Sequence, residues 1–256
     1  LISSRNATSR RFNKLSNAVI LLDEIQAIPV KYWELIRSVI EASAQELDSY
    51  FIFMTATQPY IIETKELIKE KSKYFNVLDR INVKVNLDKI TIEDFINSVK
   101  FDESKSYLFI TNTIAASKEM YKTVEKVSGA DVHYLSTYVI PKERRERIQK
   151  IKELMEKGKK VIAVTTQLVE AGVDIDFDVV YRDFAPLDSL VQSAGRCNRN
   201  GVKSKGEFVI INLGFAGKVY DTVLLSTTRE MLSGISALSE PQLFDMIDEY
   251  FKRLRD

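Results

Sequence analysis

Residues 19–26 read Val-Ile-Leu-Leu-Asp-Glu-Ile-Gln. Four apolar residues run without alternation and stop at two carboxylates. A strand apolar at every position is expected to be buried on both faces, the condition of a strand inside a parallel sheet. A parallel sheet needs crossover helices, and the next segment supplies one. From Tyr32 the apolar residues fall at Leu35, Ile36, Val39 and Ile40, the spacing of one helix face. A second apolar strand, 50–54, follows and ends at Thr55-Ala56-Thr57.

The alternation continues along the chain. A charged helix is expected near 63–74 and a short extended piece at 81–85. Strands are expected at 107–110, 133–135, 161–164, 179–181 and 208–211. Between them lie a helix with Met120, Val124 and Val127 on one face and a basic helix over 142–157. The apolar stripe of that basic helix is Ile148, Ile151, Leu154 and Met155. Two further helices are expected near 220–232 and 241–253. Strands alternating with helices predict an α/β fold of parallel sheets flanked by helices. The expected organisation is a first, truncated domain over 1–86, a second over 87–215 and a helical extension over 216–256.

Bulk properties narrow the function classes. With a formal net charge of +1 over 256 residues, no global basic surplus attracts nucleic acid, so any such contact must be local. The single cysteine, Cys197, excludes an internal disulfide and fits a reducing, cytoplasmic setting. No apolar run has the length of a membrane span, so no membrane association is expected. Residues 1–11 are polar and basic, without the apolar core of a signal peptide. The chain opens on Leu rather than Met, as an internal fragment or processed product would.

Four places carry chemistry. Asp23 and Glu24 stand beyond the carboxyl end of a strand, where open α/β sheets bind ligands. Asp is short enough to hold Mg²⁺, and Glu reaches further, toward an attacking water. The plain alternative is a solvated strand end. Thr55, Ala56 and Thr57 occupy the equivalent place one strand on, where hydroxyls can relay hydrogen bonds or simply shape a turn. Residues 161–176 read Val-Ile-Ala-Val-Thr-Thr-Gln-Leu-Val-Glu-Ala-Gly-Val-Asp-Ile-Asp. Gly172 permits close approach of backbone to phosphate, and Asp174 can accept from a ribose hydroxyl; a helix cap followed by a surface acid is the alternative. Residues 192–201 read Gln-Ser-Ala-Gly-Arg-Cys-Asn-Arg-Asn-Gly. Arg196 and Arg199 fall three apart, one face of an expected helix over 188–197. The planar guanidinium suits phosphate oxygens, although two solvated surface arginines would look the same.

The order of these segments resembles the core of superfamily 2 helicases. Asp23-Glu24-Ile25-Gln26 is similar to motif II, Thr55-Ala56-Thr57 to motif III, 107–113 to motif IV, 161–174 to motif V and 192–199 to motif VI. Within that superfamily, four segments look most like the CRISPR-associated helicase of type I interference. They are Leu-Leu-Asp-Glu-Ile-Gln-Ala-Ile-Pro (21–29), Met-Thr-Ala-Thr-Gln-Pro (54–59), Thr-Gln-Leu-Val-Glu-Ala-Gly-Val-Asp-Ile-Asp (166–176) and Gly-Arg-Cys-Asn-Arg-Asn-Gly (195–201).

The resemblance implies two RecA-like domains that bind ATP and Mg²⁺ and drive unwinding of target DNA in antiviral defence. It implies Asp23 on magnesium and Glu24 orienting the hydrolytic water. Gln26, Thr55, Ala56 and Thr57 would couple hydrolysis to domain movement. Thr111, Asn112, Thr113, Thr165 and Gln167 would face the DNA backbone. Glu170, Gly172 and Asp174 would lie toward the nucleotide, with Gln192, Arg196 and Arg199 on its phosphates. The implied partners are single-stranded DNA, an RNA-guided CRISPR surveillance complex and an associated metal-dependent nuclease domain or subunit.

Two departures qualify the match. No Gly-x-x-x-x-Gly-Lys-Ser/Thr loop occurs in the sequence; the Gly-Lys pairs at 158–159 and 217–218 lack the following hydroxyl. The loop is expected upstream of Leu1, and this chain alone is expected to hydrolyse ATP poorly or not at all. The single histidine, His133, cannot build a histidine-rich nuclease centre, and is expected to be structural. The alternatives are another superfamily 2 motor acting on RNA or DNA, a nucleic-acid-binding module without nucleotide turnover, and a purely structural α/β protein.

Overall fold

A computed structural model of the chain describes residues 13–55, 61–68, 79–170, 173–201 and 205–255. They belong to two compact units, one of residues 1–69 with 251–256 and the other of residues 70–250.

In the first unit, β1 (Val19–Asp23) and β2 (Tyr50–Met54) pair in parallel, with Asp23 opposite Met54. The right-handed crossover expected of such a pair carries α1 (Trp33–Glu46). The Trp33 indole donates to the Ile28 carbonyl at 2.9 Å, and its ring lies 6.1 Å from that of Phe251. The apolar run at 19–22 predicts burial on both faces; instead Val19 and Leu21 are 61% and 60% exposed. Among the described residues, β1 and β2 form a sheet of two strands joined through a single α-helix, which can cover only one face. The charged helix expected near 63–74 is absent over 63–68, where the backbone has no regular structure; its remainder lies outside the described residues.

The second unit is a seven-stranded sheet. Its strands are β3 (Ile81–Lys89), β4 (Tyr107–Ile110), β5 (Val132–Leu135), β6 (Ile162–Thr165), β7 (Val179–Asp183), β8 (Gly206–Asn212) and β9 (Ala237–Ser239). Their order across the sheet is β5-β6-β4-β7-β8-β3-β9. All neighbours are parallel except β9, which pairs antiparallel with β3. The crossovers carry α2 (Ile92–Ser98), α3 (Ile114–Ser128), α4 (Pro141–Glu156) and α5 (Leu187–Ala194). The chain closes with α6 (Thr222–Leu232) and α7 (Glu240–Arg255).

The central strands are buried at almost every position, as their unbroken apolar runs require. Phe109 of β4 and Tyr181 of β7 stack at 5.2 Å, and Phe95 of α2 meets the edge of both. Met120 and Val124 of α3 join this core, whereas Val127, expected on the same face, is exposed. Of the stripe expected on α4, only Ile151 is fully buried.

The chain leaves β4 toward β5 and β6 on one side, then crosses to β7 on the other. This reversal places a crevice at the carboxyl ends of β4, β6 and β7, where open α/β sheets bind ligands. A boundary at 86/87 would cut through β3, which runs from 81 to 89 inside the second sheet. The region 216–256 is also more than helical, since β9 adds an edge strand to that sheet. No described helix is long and apolar enough to cross a membrane.

Candidate functional site

In the first unit, parallel pairing brings the carboxyl ends of β1 and β2 side by side. The N–H of Glu24 donates to the Met54 carbonyl at 2.9 Å and to Asp23 Oδ1 at 3.0 Å. Glu24 itself adopts the left-handed conformation, φ 52° and ψ 41°, and opens a 3-10 turn over Ile25–Ala27. A non-glycine residue there carries strain of about 1 kcal/mol, a feature that clusters at functional positions. The turn lays three polar side chains in series: Gln26 Nε2 donates to Glu24 Oε2, and Thr55 Oγ1 donates to Gln26 Oε1. Gln26 is buried while Asp23 and Glu24 are exposed, so the relay runs from the solvent-facing Glu24 carboxylate to the end of β2. Ala56 and Thr57, expected to complete it, lie outside the described residues.

Among the described residues no group of three His, Cys, Asp or Glu side chains could enclose a metal ion. Two exposed carboxylates suit magnesium nonetheless, which is commonly held by one or two carboxylates together with phosphate oxygens and water.

In the second unit the switch-point crevice is built from motif-like loops, but several expected contact residues turn inward. Thr111, Asn112 and Thr165 are buried. The N–H of Thr111 donates to the Thr165 carbonyl at 3.0 Å, tying the ends of β4 and β6 together. The Asn112 amide donates to Asp183 at 2.8 Å and to the Phe184 carbonyl at 2.7 Å, and its oxygen accepts from Arg182 at 2.6 Å. Thr113 caps α3 by accepting from the Ala116 N–H at 3.1 Å. Of the five residues expected to face a DNA strand, only Thr113 and Gln167 keep partly exposed side chains. The other three fix the loops, because a buried polar side chain must spend its hydrogen bonds internally.

At the centre stands Arg182, at the end of β7 and fully buried. Its five N–H groups reach Ser193 Oγ at 3.0 Å, Asn112 Oδ1 at 2.6 Å, the Asp183 carbonyl at 2.8 Å, Ser189 Oγ at 3.0 Å and the Tyr220 hydroxyl at 2.9 Å. Glu170 pairs with it at 2.8 Å. One guanidinium therefore ties the loop after β4, the loop after β6, α5 and the segment before α6. Burial opposes its charge, but Glu170, Tyr220 and Asp183 outweigh that and raise its pKa further. The Asp183 carboxyl is pushed up to about 6 by burial, against pulls from the Leu213 N–H and Arg182. Asp188, near the start of α5, also rises to about 6 through burial, with the charge of Glu170 adding to it. Its Oδ1 has no hydrogen-bond partner among the described residues.

The arginine pair does not share a helix face. Helix α5 ends at Ala194, because the chain must leave it to make a β-bridge between Cys197 and Phe177. The Phe177 N–H donates to the Arg196 carbonyl at 3.0 Å, and the Asn198 N–H to the Phe177 carbonyl at 2.9 Å. Arg196 is buried, and its Nε donates to the Val169 carbonyl at 2.6 Å. It binds the loop after β6 from within. Arg199 keeps its side chain 41% exposed and pairs at 3.1 Å with Asp174, itself 70% exposed. Its backbone is held twice: the N–H donates to Asp176 at 2.8 Å and the carbonyl accepts from Arg80 at 2.7 Å. Gln192 is half-buried on α5, and Gly172 lies outside the described residues. Cys197 is buried, and burial raises its thiol pKa, which suits packing. His133 is buried in β5, and burial lowers its pKa, as for a structural histidine.

The sequence reading missed Arg182 and Asp183. The available signal was a charge at the end of the apolar run 179–181, in a strand that the switch point places between β4 and β8.

Comparison with known proteins points the same way as the fold. The family described as CRISPR-associated nuclease/helicase Cas3, C-terminal, matches residues 103–202. A CRISPR-associated nuclease/helicase Cas3 from Methanothermobacter thermautotrophicus is 26% identical over 244 residues, covering 84% of this chain and 28% of that protein. Its counterpart from Haloferax volcanii is 24% identical over 297 residues, covering 78% of this chain and 32% of the relative. The chain thus spans about a third of each relative's length. The crystal structure of T. fusca Cas3-ATP superposes with a TM-score of 0.72 at 17% identity, over 91% of this chain and 35% of that one. At that identity the superposition establishes the α/β RecA-like fold.

Proposed function

We propose that this chain, whose residues 103–202 match the Cas3 C-terminal family, is the helicase region of an ATP-dependent DNA helicase of antiviral defence. The observation that carries this reading is the series Glu24–Gln26–Thr55, which links the exposed Glu24 carboxylate, next to Asp23, to the end of a neighbouring strand. Asp23 would hold magnesium, which when bound neutralises charge on the phosphates of ATP. Glu24 orients the attacking water, and Gln26 with Thr55 reports its state to the end of β2.

In the second unit Arg199 neutralises charge on the transferring phosphoryl group. Its exposed pair with Asp174 is worth at most about 1 kcal/mol, so it exchanges readily for phosphate. Arg196 and Arg182 hold the loop after β6 in place for it. Thr113 and Gln167, with backbone N–H groups of the same crevice, contact the phosphates of a single DNA strand. Such contacts position a strand without reading its sequence, as a translocating motor requires. The phosphate-cradling loop is not within this sequence, so turnover by this chain alone is expected to be weak. Recruitment by an RNA-guided surveillance complex and cleavage by an associated nuclease complete the reading.

A strand-displacement assay tests it. In the protein that also carries the phosphate loop, ATP should drive separation of a partial DNA duplex, and a non-hydrolysable analogue should not. Equal displacement with the analogue, or preference for RNA over DNA, would defeat this reading in favour of a binding module or an RNA motor.

A further inference from the structure

The amino-terminal ends of the parallel strands in the second unit surround a cavity of about 470 Å³. Lys84 and Glu207 line it from β3 and β8, and Lys105, Lys160, Asp178 and Lys205 from the turns that lead into β4, β6, β7 and β8. Four ammonium groups and two carboxylates line it; just outside the lining, Asp79 closes on Lys205 and Asp102 lies near Lys105 and Lys160. The crevice assigned above lies at the opposite, carboxyl ends of these strands.

The two carboxylates are already engaged. Asp178 Oδ2 accepts from the Ser106 N–H at 2.8 Å and from its hydroxyl at 2.7 Å, while Lys160 approaches only to 3.4 Å. Glu207 closes on Lys84, which leaves Lys105 at 3.8 Å. Each ammonium has three donors, and long, partly exposed ion pairs hold little free energy. Lys105 and Lys160 therefore have donor capacity that the lining carboxylates do not use. Asn198, from the loop that carries Arg199, closes another wall. Gly206 makes room for it: a Cβ there would stand 3.0 Å from Asn198 Cβ and 2.6 Å from Cys197 Sγ.

An ordinary surface ion-pair cluster would close its pairs on one another and leave no space between them. Here two lysines with long, unsaturated pairings face a cavity of the size that takes small ligands, and phosphate oxygens accept several charge-assisted hydrogen bonds at once. We infer that this cavity binds phosphate groups, held chiefly by Lys105 and Lys160. The phosphate comes either from a free anion of pyrophosphate size or from the end of a nucleic-acid strand. The inference does not depend on the helicase reading.

Inorganic pyrophosphate titrated into the chain should bind saturably by calorimetry and shift the amide resonances of Ser106 and Gly206. Lys105→Gln with Lys160→Gln should weaken binding about tenfold or more, and the Lys105→Arg, Lys160→Arg pair should largely restore it. Lys126→Gln, on exposed α3, should change nothing. Competition by a 5′-phosphorylated oligothymidylate identifies a strand end as the source; pyrophosphate binding without it identifies a free anion. No saturable pyrophosphate binding, or equal affinity in the wild type and the double Gln variant, overturns the inference.

Discussion

Replacing Arg182 with methionine keeps most of the side-chain volume but removes a fully buried cation from the centre of the second unit. The structure sets the cost. Arg182 is fully buried, donates to five oxygen acceptors and pairs with Glu170, whose side chain is only 11% exposed. Removing it leaves the Glu170 anion without its cation, held only by the Ser189 and Ser193 hydroxyls, and strips Asn112 Oδ1 of its donor. Breaking a buried pair from one side costs about 3–5 kcal/mol, against a total stability of roughly 5–15 kcal/mol for a domain. Urea unfolding followed by circular dichroism measures the loss directly. Adding Glu170→Gln should recover about 1–3 kcal/mol, the range of coupling between residues in one network. For comparison, Lys84→Ala breaks only the exposed pair with Glu207 and should cost at most about 1 kcal/mol. A loss below about 1 kcal/mol for Arg182→Met, or no recovery in the double variant, would refute the view that this side chain organises the crevice loops.

Asp188 gives a pH signature: burial lifts its folded pKa to about 6, above the ordinary aspartate value of 3.8. That raised value favours folding below about pH 4, and the benefit is lost as pH rises through 6. Asp188→Asn should therefore raise stability at pH 8 by about 1–3 kcal/mol, with the gain vanishing near pH 4, read from melting curves across that range. Gly206→Ala drives a methyl to 2.6 Å from Cys197 Sγ and should cost about 1–3 kcal/mol; Cys197→Ala in the same chain should return most of it. Arg196→Ala should lower the melting temperature, since it frees the Val169 carbonyl inside the fold. Arg199→Ala should leave melting unchanged but cut DNA-stimulated ATP hydrolysis by about 10³-fold or more in the protein that carries the phosphate loop. Equal effects of the two variants on melting would erase the distinction.

Long apolar runs made most of the sheet legible in the sequence. The bounds expected at 50–54 and 107–110 match β2 and β4, because polar loops cut off each run sharply. Short elements fared worse. Helix α2 has seven residues, too few for a periodicity, although Thr91 and Asp94 form a readable cap at its start. The three-residue β9 exists only through its pairing with β3, which no local pattern announces. At the candidate site the sequence showed which polar residues follow which strands but could not give side-chain direction. Asn112 and Thr165 stand where a ligand would be met, yet point into the fold. Arg196 and Arg199 have helical spacing, but the Cys197 bridge to Phe177 takes that segment out of the helix. Long-range pairing decides both outcomes.

The most direct test of the account is steady-state ATP hydrolysis, with and without single-stranded DNA, by the Glu24→Gln variant in the protein that carries the phosphate loop. The variant keeps the side-chain length and an amide oxygen that can accept from Gln26 Nε2 but loses the carboxylate that orients water. The account predicts turnover reduced about 10²–10⁴-fold with the melting temperature unchanged. Turnover equal to that of the wild type would contradict it.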